Sequence, residues 1–172
     1  DGIYYEALNP DTRNGLPGQP ITIRALHDGK AIVDGEYTRI PIKLGDTWQG
    51  PIGEYFVIEG IVARNSVDSV VFVRGDHNKF RRVSAYNANT DDNSHVYTIW
   101  AQDTLLEDCV AAGTGRDLIL IYQTENNIIR RCFTAWTQWD GRDFCGVTWP
   151  NGNNIVIYNA SNNLIENSIA FG

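Results

Sequence analysis

The stretch NNIIRRCFTAW, Asn126 to Trp136, sets two asparagines before two isoleucines, then two arginines, a cysteine and a phenylalanine. Neither a helical period nor a clean strand alternation accommodates an arginine pair between Ile129 and Cys132. The arrangement recurs. FVIEGIVA (56–63), NKFRRVSA (78–85), TLLEDCVA (104–111), NIIRRCFT (127–134) and NLIENSIA (163–170) align so that Ile58, Phe80, Leu106, Ile129 and Ile165 share one position, at successive offsets of 22, 26, 23 and 36 residues. A second apolar segment precedes four of these anchors: VVFV (70–73), VYTI (96–99), ILIY (119–122) and IVIY (155–158).

Two or three short strands per repeat, turns rich in Asn, Asp and Gly, and no helical periodicity predict an all-β chain wound as a parallel β-helix, a solenoid of about five to seven coils. A single coil cannot bury its inner face; stacking puts equivalent residues about 4.8 Å apart, so each column must suit itself. The anchor column is predicted to point inward, as are Ile61, Val83, Cys109, Cys132 and Ser168, and the small residues Ala63, Ala85, Ala111, Thr134 and Ala170. The arginine pair then falls where the chain turns a corner, with one arginine outward and the other at the bend.

Behind the anchor the column reads Glu59, Arg81, Glu107, Arg130, Glu166, alternating in sign at every step, with Gly60, Arg82, Asp108, Arg131 and Asn167 beside it. Opposite charges in line attract, so this is a structural ladder before it is a clamp for acidic sugars. His77, Asp103, Asn126 and Asn162 form a further column, and Asn78, Thr104, Asn127 and Asn163 another, both expected to hydrogen-bond along a stack of turns. Cys109 and Cys132 stack as small inward hydrophobes, without the water and base a nucleophile needs.

Composition sets outer limits. A net charge of −7, from 14 Lys and Arg against 21 Asp and Glu, argues against a nucleic-acid or anionic-membrane surface. No apolar run approaches the roughly 18 residues of a membrane-spanning helix. Three cysteines are too few and too scattered for a disulfide scaffold or a C-x-x-C metal site. The length of 172 residues predicts one domain, 1–172, with an inserted loop at 136–152.

The opening DGIYYE, then GQPITIRAL, KAIVDG, YFVIEGIVARNS and the repeated N-x-I-x-x-C-x-A segments resemble the right-handed parallel β-helix proteins of the pectate-lyase-like superfamily. They are most similar to the N-terminal coils of alginate-lyase and chondroitinase-B-like polysaccharide lyases and to the many β-helix repeat proteins of unassigned activity. The resemblance implies a secreted or cell-surface protein acting on polysaccharide, and, in the lyases, a Lys and Arg pair with calcium held by Asn and Glu. No such set matches here residue by residue, so calcium is implied by the resemblance alone and the residues themselves indicate no cofactor. The missing N-terminal capping helix and the stop at IAFG inside a coil predict a piece of a longer helix, whose uncapped coils would invite self-association or association with other chains.

The ladders leave one segment unexplained. The last offset exceeds its predecessor by 13 residues, and the segment that takes up the extra length, WTQWDGRDFCGVTWPNG (136–152), holds three of the five tryptophans. Aromatic faces beside carboxylates and amides hold sugar rings, which makes Trp136, Trp139 and Trp149 candidate ligand contacts. Tyr122 and Tyr158 join them, in a predicted outer column with Val73 and Ile99. Asp140, Arg142 and Asp143 are candidate acid, base and charge clamp for a polysaccharide lyase or a glycoside hydrolase. The competing reading makes the loop a lid over a predicted outer apolar stripe of Val71, Tyr97, Leu120 and Val156. Asp91, Asp92 and His95 could bind a hard cation through oxygens, but a solvated turn is the stronger account of them, and Trp48 in GDTWQG is a further candidate stacker. Two functions follow: a secreted carbohydrate-binding or carbohydrate-processing β-helix, or a non-catalytic extracellular module that assembles with other chains.

Overall fold

A computed structural model describes residues 1–10, 13–46, 52–90, 93–138 and 152–171 of the chain. After β1 (Gly2–Tyr4), strands come in triplets: β2 (Ile21–Arg24), β3 (Ala31–Asp34) and β4 (Ile42–Leu44), then β5 (Phe56–Glu59), β6 (Ile61–Arg64) and β7 (Val71–Val73). The pattern continues with β8 (Lys79–Arg81), β9 (Ser84–Tyr86) and β10 (His95–Ile99), and with β11 (Leu105–Glu107), β12 (Val110–Thr114) and β13 (Asp117–Tyr122). It ends with β14 (Ile128–Arg130), β15 (Phe133–Gln138) and β16 (Asn153–Tyr158), followed by β17 (Leu164–Glu166) and β18 (Ile169–Phe171). The described residues contain no helix.

First strands of the triplets pair only with first strands, second with second and third with third, always in parallel. Three sheets of six, seven and five strands result, in the orders β17-β14-β11-β8-β5-β2, β1-β3-β6-β9-β12-β15-β18 and β16-β13-β10-β7-β4. This is the arrangement of a parallel β solenoid. Each repeat thus holds three strands, because the segment just past the anchor is a strand of its own after a single corner residue.

That corner answers the arginine pair. Gly60, Arg82, Asp108, Arg131 and Asn167 all have φ between 50° and 69°, the left-handed conformation that turns the chain from the first sheet into the second. A Cβ at Gly60 would come within 2.3 Å of Asp28 Oδ1, so a larger residue in that coil would have to displace the Asp28 side chain. Tyr55, His77, Asp103, Asn126 and Asn162 are likewise left-handed, at the corner before the first sheet. The asparagines beside them carry the hydrogen bonds: Asn78 Oδ1 accepts from Phe56 N at 2.7 Å, Asn127 Oδ1 from Thr104 N at 2.9 Å, and Asn163 Oδ1 from Asn127 N at 2.9 Å. His77 instead stacks on Tyr55, with ring centroids 4.5 Å apart, and sets Nδ1 3.4 Å from Asp103.

The interior follows the predicted columns. Ile58, Phe80, Leu106 and Ile129 are buried with Ile61, Val83, Cys109 and Cys132, while Ala63, Ala85, Ala111 and Thr134 form the small column that leaves them room. Both buried cysteines are free thiols, and burial pushes the Cys109 thiol well above its ordinary pKa. Tyr97 fills the middle of the core, its hydroxyl donating to Val83 O at 3.0 Å and its ring set edge-on to Phe80. Ile165 keeps its register with Ile129 but is 41% exposed, because no described coil covers its outer side; Ala170 is exposed for the same reason.

Two predicted columns require correction. Backbone pairing sets Val71 and Tyr97 beside Ile119 and Ile155, and Val73 and Ile99 beside Ile121 and Ile157, so both rows face inward. The outer rows of this third sheet are Phe72, Thr98, Leu120 and Val156, and then Arg74, Trp100, Tyr122 and Tyr158. Aligning apolar runs by their first residue had slipped β7 and β10 by one position against β13 and β16, and a one-residue slip exchanges the two faces of a strand.

The charge ladder stands and gains a member, since Arg24 pairs in register with Glu59. Glu107 is its hub: Arg81 Nε lies 3.0 Å from Oε2, while Arg130 Nη2 and Arg131 Nη2 lie 2.6 and 2.8 Å from Oε1. Arg82 bridges Asp28 and Glu59 in the same manner. Arg130→Glu would set a carboxylate between Glu107 and Glu166, removing attractions of roughly 0.2–1 kcal/mol each and adding repulsions of similar size. The expected result is a lower urea midpoint whose deficit shrinks in 1 M NaCl. An equal deficit at low and high salt would refute the ladder as an electrostatic element.

Candidate functional site

The outer face of the third sheet is where sequence candidates and surface relief coincide. Strands β13 and β16 end on Tyr122 and Tyr158, and β7 and β10 are followed directly by Arg74 and Trp100; stacking coils brings these four into one row along the solenoid axis. Trp100 lies 5.1 Å from Tyr122 between ring centroids, and Tyr122 lies 5.3 Å from Tyr158 with planes 3° apart. The Arg74 guanidinium caps the far side of Trp100, with Cζ 3.7 Å from the ring centroid. Among the described residues Arg74 Nε is buried without a hydrogen-bond partner, and the indole face lies against its guanidinium.

Ring contacts of this kind consume faces. Tyr122 is covered on both sides and Trp100 by Arg74 and Tyr122, which leaves edges, the tyrosine hydroxyls and the outer face of Tyr158 for a ligand. The row is a ridge. Tyr122 and Tyr158, predicted as ligand contacts, are brought together there, while Trp100 and Arg74 were missed. The signal for Trp100 was present in the three Ile-aromatic dipeptides 99–100, 121–122 and 157–158, which align once the dipeptide itself is taken as the register mark.

A groove runs along each side of the ridge. The first, of about 320 Å³, is lined by Arg116, Leu120 and Val156, with His95 and Asp117 on its polar wall. His95 and Asp117 begin β10 and β13, pair in register, and are both 4% exposed at the side chain. The ring Nδ1 sits 3.0 Å from Asp117 Oδ2 but off the line of a well-formed hydrogen bond. Burial pushes the Asp117 carboxyl up, but His95 and the Asn153 amide at 2.8 Å outweigh it and hold the pKa below the usual carboxylate value. Ser69 lies beside this pair, yet its Oγ meets Thr98 Oγ1 at 2.8 Å and the backbone N–H of His95 at 3.3 Å. These contacts spend the hydroxyl on a side chain and a main-chain N–H, so the trio shows no contact between a nucleophile and the imidazole that would serve it as base.

The second groove, of about 400 Å³, follows the corner between the third sheet and the next coil's first strand. Asp76, Gln102, Glu125 and Ser161 form its floor, one from each successive coil, and the Trp100 edge forms its rim. Gln102 donates from its backbone N and from Nε2 to the two Asp76 oxygens, at 2.9 and 3.1 Å, and Ser161 Oγ donates to Glu125 Oε2 at 3.4 Å.

Trp139, Asp140, Arg142, Asp143 and Trp149 lie outside the described residues, as do Trp48, Asp91 and Asp92; Trp136 lies in β15. Among the described residues no group of three or more His, Cys, Asp or Glu side chains is placed to hold a metal ion, and His95 Nδ1 faces Asp117 Oδ2 at 3.0 Å. No described helix is long and apolar enough to cross a membrane. Comparison of the chain with protein-family models, curated proteins and solved structures finds no match.

Proposed function

We propose that this chain is a secreted, right-handed parallel β-helix of the pectate-lyase-like kind that binds a polysaccharide along the outer face of its third sheet. One observation carries the reading: an aromatic ridge flanked by two grooves, one polar and one part apolar with a polar wall, that run along the solenoid axis and draw their lining from successive coils. A periodic surface suits a periodic ligand, with sugar hydroxyls meeting amides and carboxylates at each rung. Right-handed winding is the hand favoured by crossover connections between parallel strands. The tryptophan-rich insertion runs directly into β16, the strand of Tyr158, so Trp136, Trp139 and Trp149 are the candidates to supply the open faces the ridge lacks. If the protein also cleaves its ligand, Asp140, Arg142 and Asp143 are the candidates for the chemistry.

The test is a glycan array with reducing-end and unsaturated-uronate assays, followed by titration of Tyr158→Ala and of Trp139→Ala with Trp149→Ala. Each loss of stacking should remove roughly 1–3 kcal/mol of affinity at a nearly unchanged melting temperature. Early melting, with no glycan bound by the parent, would favour the second reading, an extracellular module that associates with other chains.

A further inference from the structure

We infer that the corner groove beside Trp100 selects uncharged glycans and rejects uronate polymers, an inference that rests on the carbohydrate reading above. Its two ionisable lining residues, Asp76 and Glu125, are both acidic, and they stand two coils apart with Gln102 between them. The rest of the lining is hydroxyl, amide and the Trp100 edge: Thr124, Ser161, Gln123 and Asn159. No Lys or Arg side chain lines the groove among the described residues. Arg74, in the same row as Trp100, keeps its guanidinium over that ring and within 5.5 Å of the Phe72 ring.

The chemistry of this set is one-sided. Ionised carboxylates only accept hydrogen bonds, amides accept and donate, and hydroxyls do both, so sugar hydroxyls can satisfy every group in the groove. A uronate carboxylate brings acceptors alone. Laid along the floor it would face Asp76 or Glu125 acceptor to acceptor and charge to charge, which is how interfaces exclude a wrong partner. The chain's net charge of −7 repels a polyanion before contact as well.

The experiment is calorimetric titration of the whole protein, in low salt with a chelator, using cellohexaose, xylohexaose and mannohexaose against hexagalacturonate and hexamannuronate. The expected result is binding of at least one neutral hexaose, with both uronates weaker by about tenfold or more. In the double variant Asp76→Asn, Glu125→Gln that gap should narrow through a gain in uronate affinity, with the melting temperature retained. A uronate that binds the parent more tightly than every neutral hexaose overturns the selectivity and leaves the carbohydrate reading standing. An unchanged gap in the double variant overturns the assignment to this groove. If the glycan array and these titrations show no binding of any kind, the carbohydrate reading fails and takes the inference with it.

Discussion

Ile129→Ala is expected to destabilise the protein by about 2–5 kcal/mol, and Ile165→Ala by less than half as much. Both residues occupy the anchor column and differ by one coil. Ile129 is 1% exposed, pairs on both sides with Leu106 and Ile165, and packs toward the Ala111 and Thr134 column. Truncation there loses the transfer energy of the side chain and leaves a cavity that two flanking strands hold open. At 41% exposure Ile165 has surrendered much less of its surface to the core, and the gap can fill with water. Urea unfolding of the two variants measures the difference directly. Equal losses would mean that the stacking order inferred for the coils is wrong.

Glu107→Gln should cost about 1–3 kcal/mol at neutral pH, through loss of charge-assisted hydrogen bonds at the hub of the ladder. The Glu107 side chain sits on the outer surface yet is only 11% exposed, because three arginines close over it. Burial pushes its carboxyl up, but the hydrogen bonds from Arg131 and Arg130 and the charges around it prevail and hold the pKa below the usual glutamate value of 4.5. A group depressed in this way binds fewer protons in the folded than in the unfolded state. Its stabilisation is therefore complete above the ordinary value and is lost as pH falls through the depressed one. The parent should lose stability below about pH 4.5 more steeply than Glu107→Gln. Parallel stability curves for the two proteins from pH 7 down to pH 3 would contradict this account.

Charges and corners were legible in the sequence because a solenoid repeats its environment, and each column displays its own rule five times over. The sign alternation from Glu59 to Glu166 and the hydrogen-bonding asparagines 78, 127 and 163 are of this kind. The outer face of the third sheet was not. Its strands alternate between two apolar rows, Ile99 and Ile121 inward and Phe72 and Leu120 outward, so hydrophobicity alone does not say which row is which. The His95 and Asp117 pair was hidden for a related reason, since the two stand 22 positions apart, a whole coil of chain.

Sequence alone was sufficient for the all-β class, the coil repeat, the inward anchor column and the corner at Arg131, since each depends on residue type at a fixed period. The tertiary structure decided the three-strand coil, the register of the third sheet and hence the ridge of Arg74, Trp100, Tyr122 and Tyr158. Those features depend on which strand edges meet across 22 to 36 residues of chain, and parallel pairing enforces that match through backbone hydrogen bonds that carry no signature of side-chain identity.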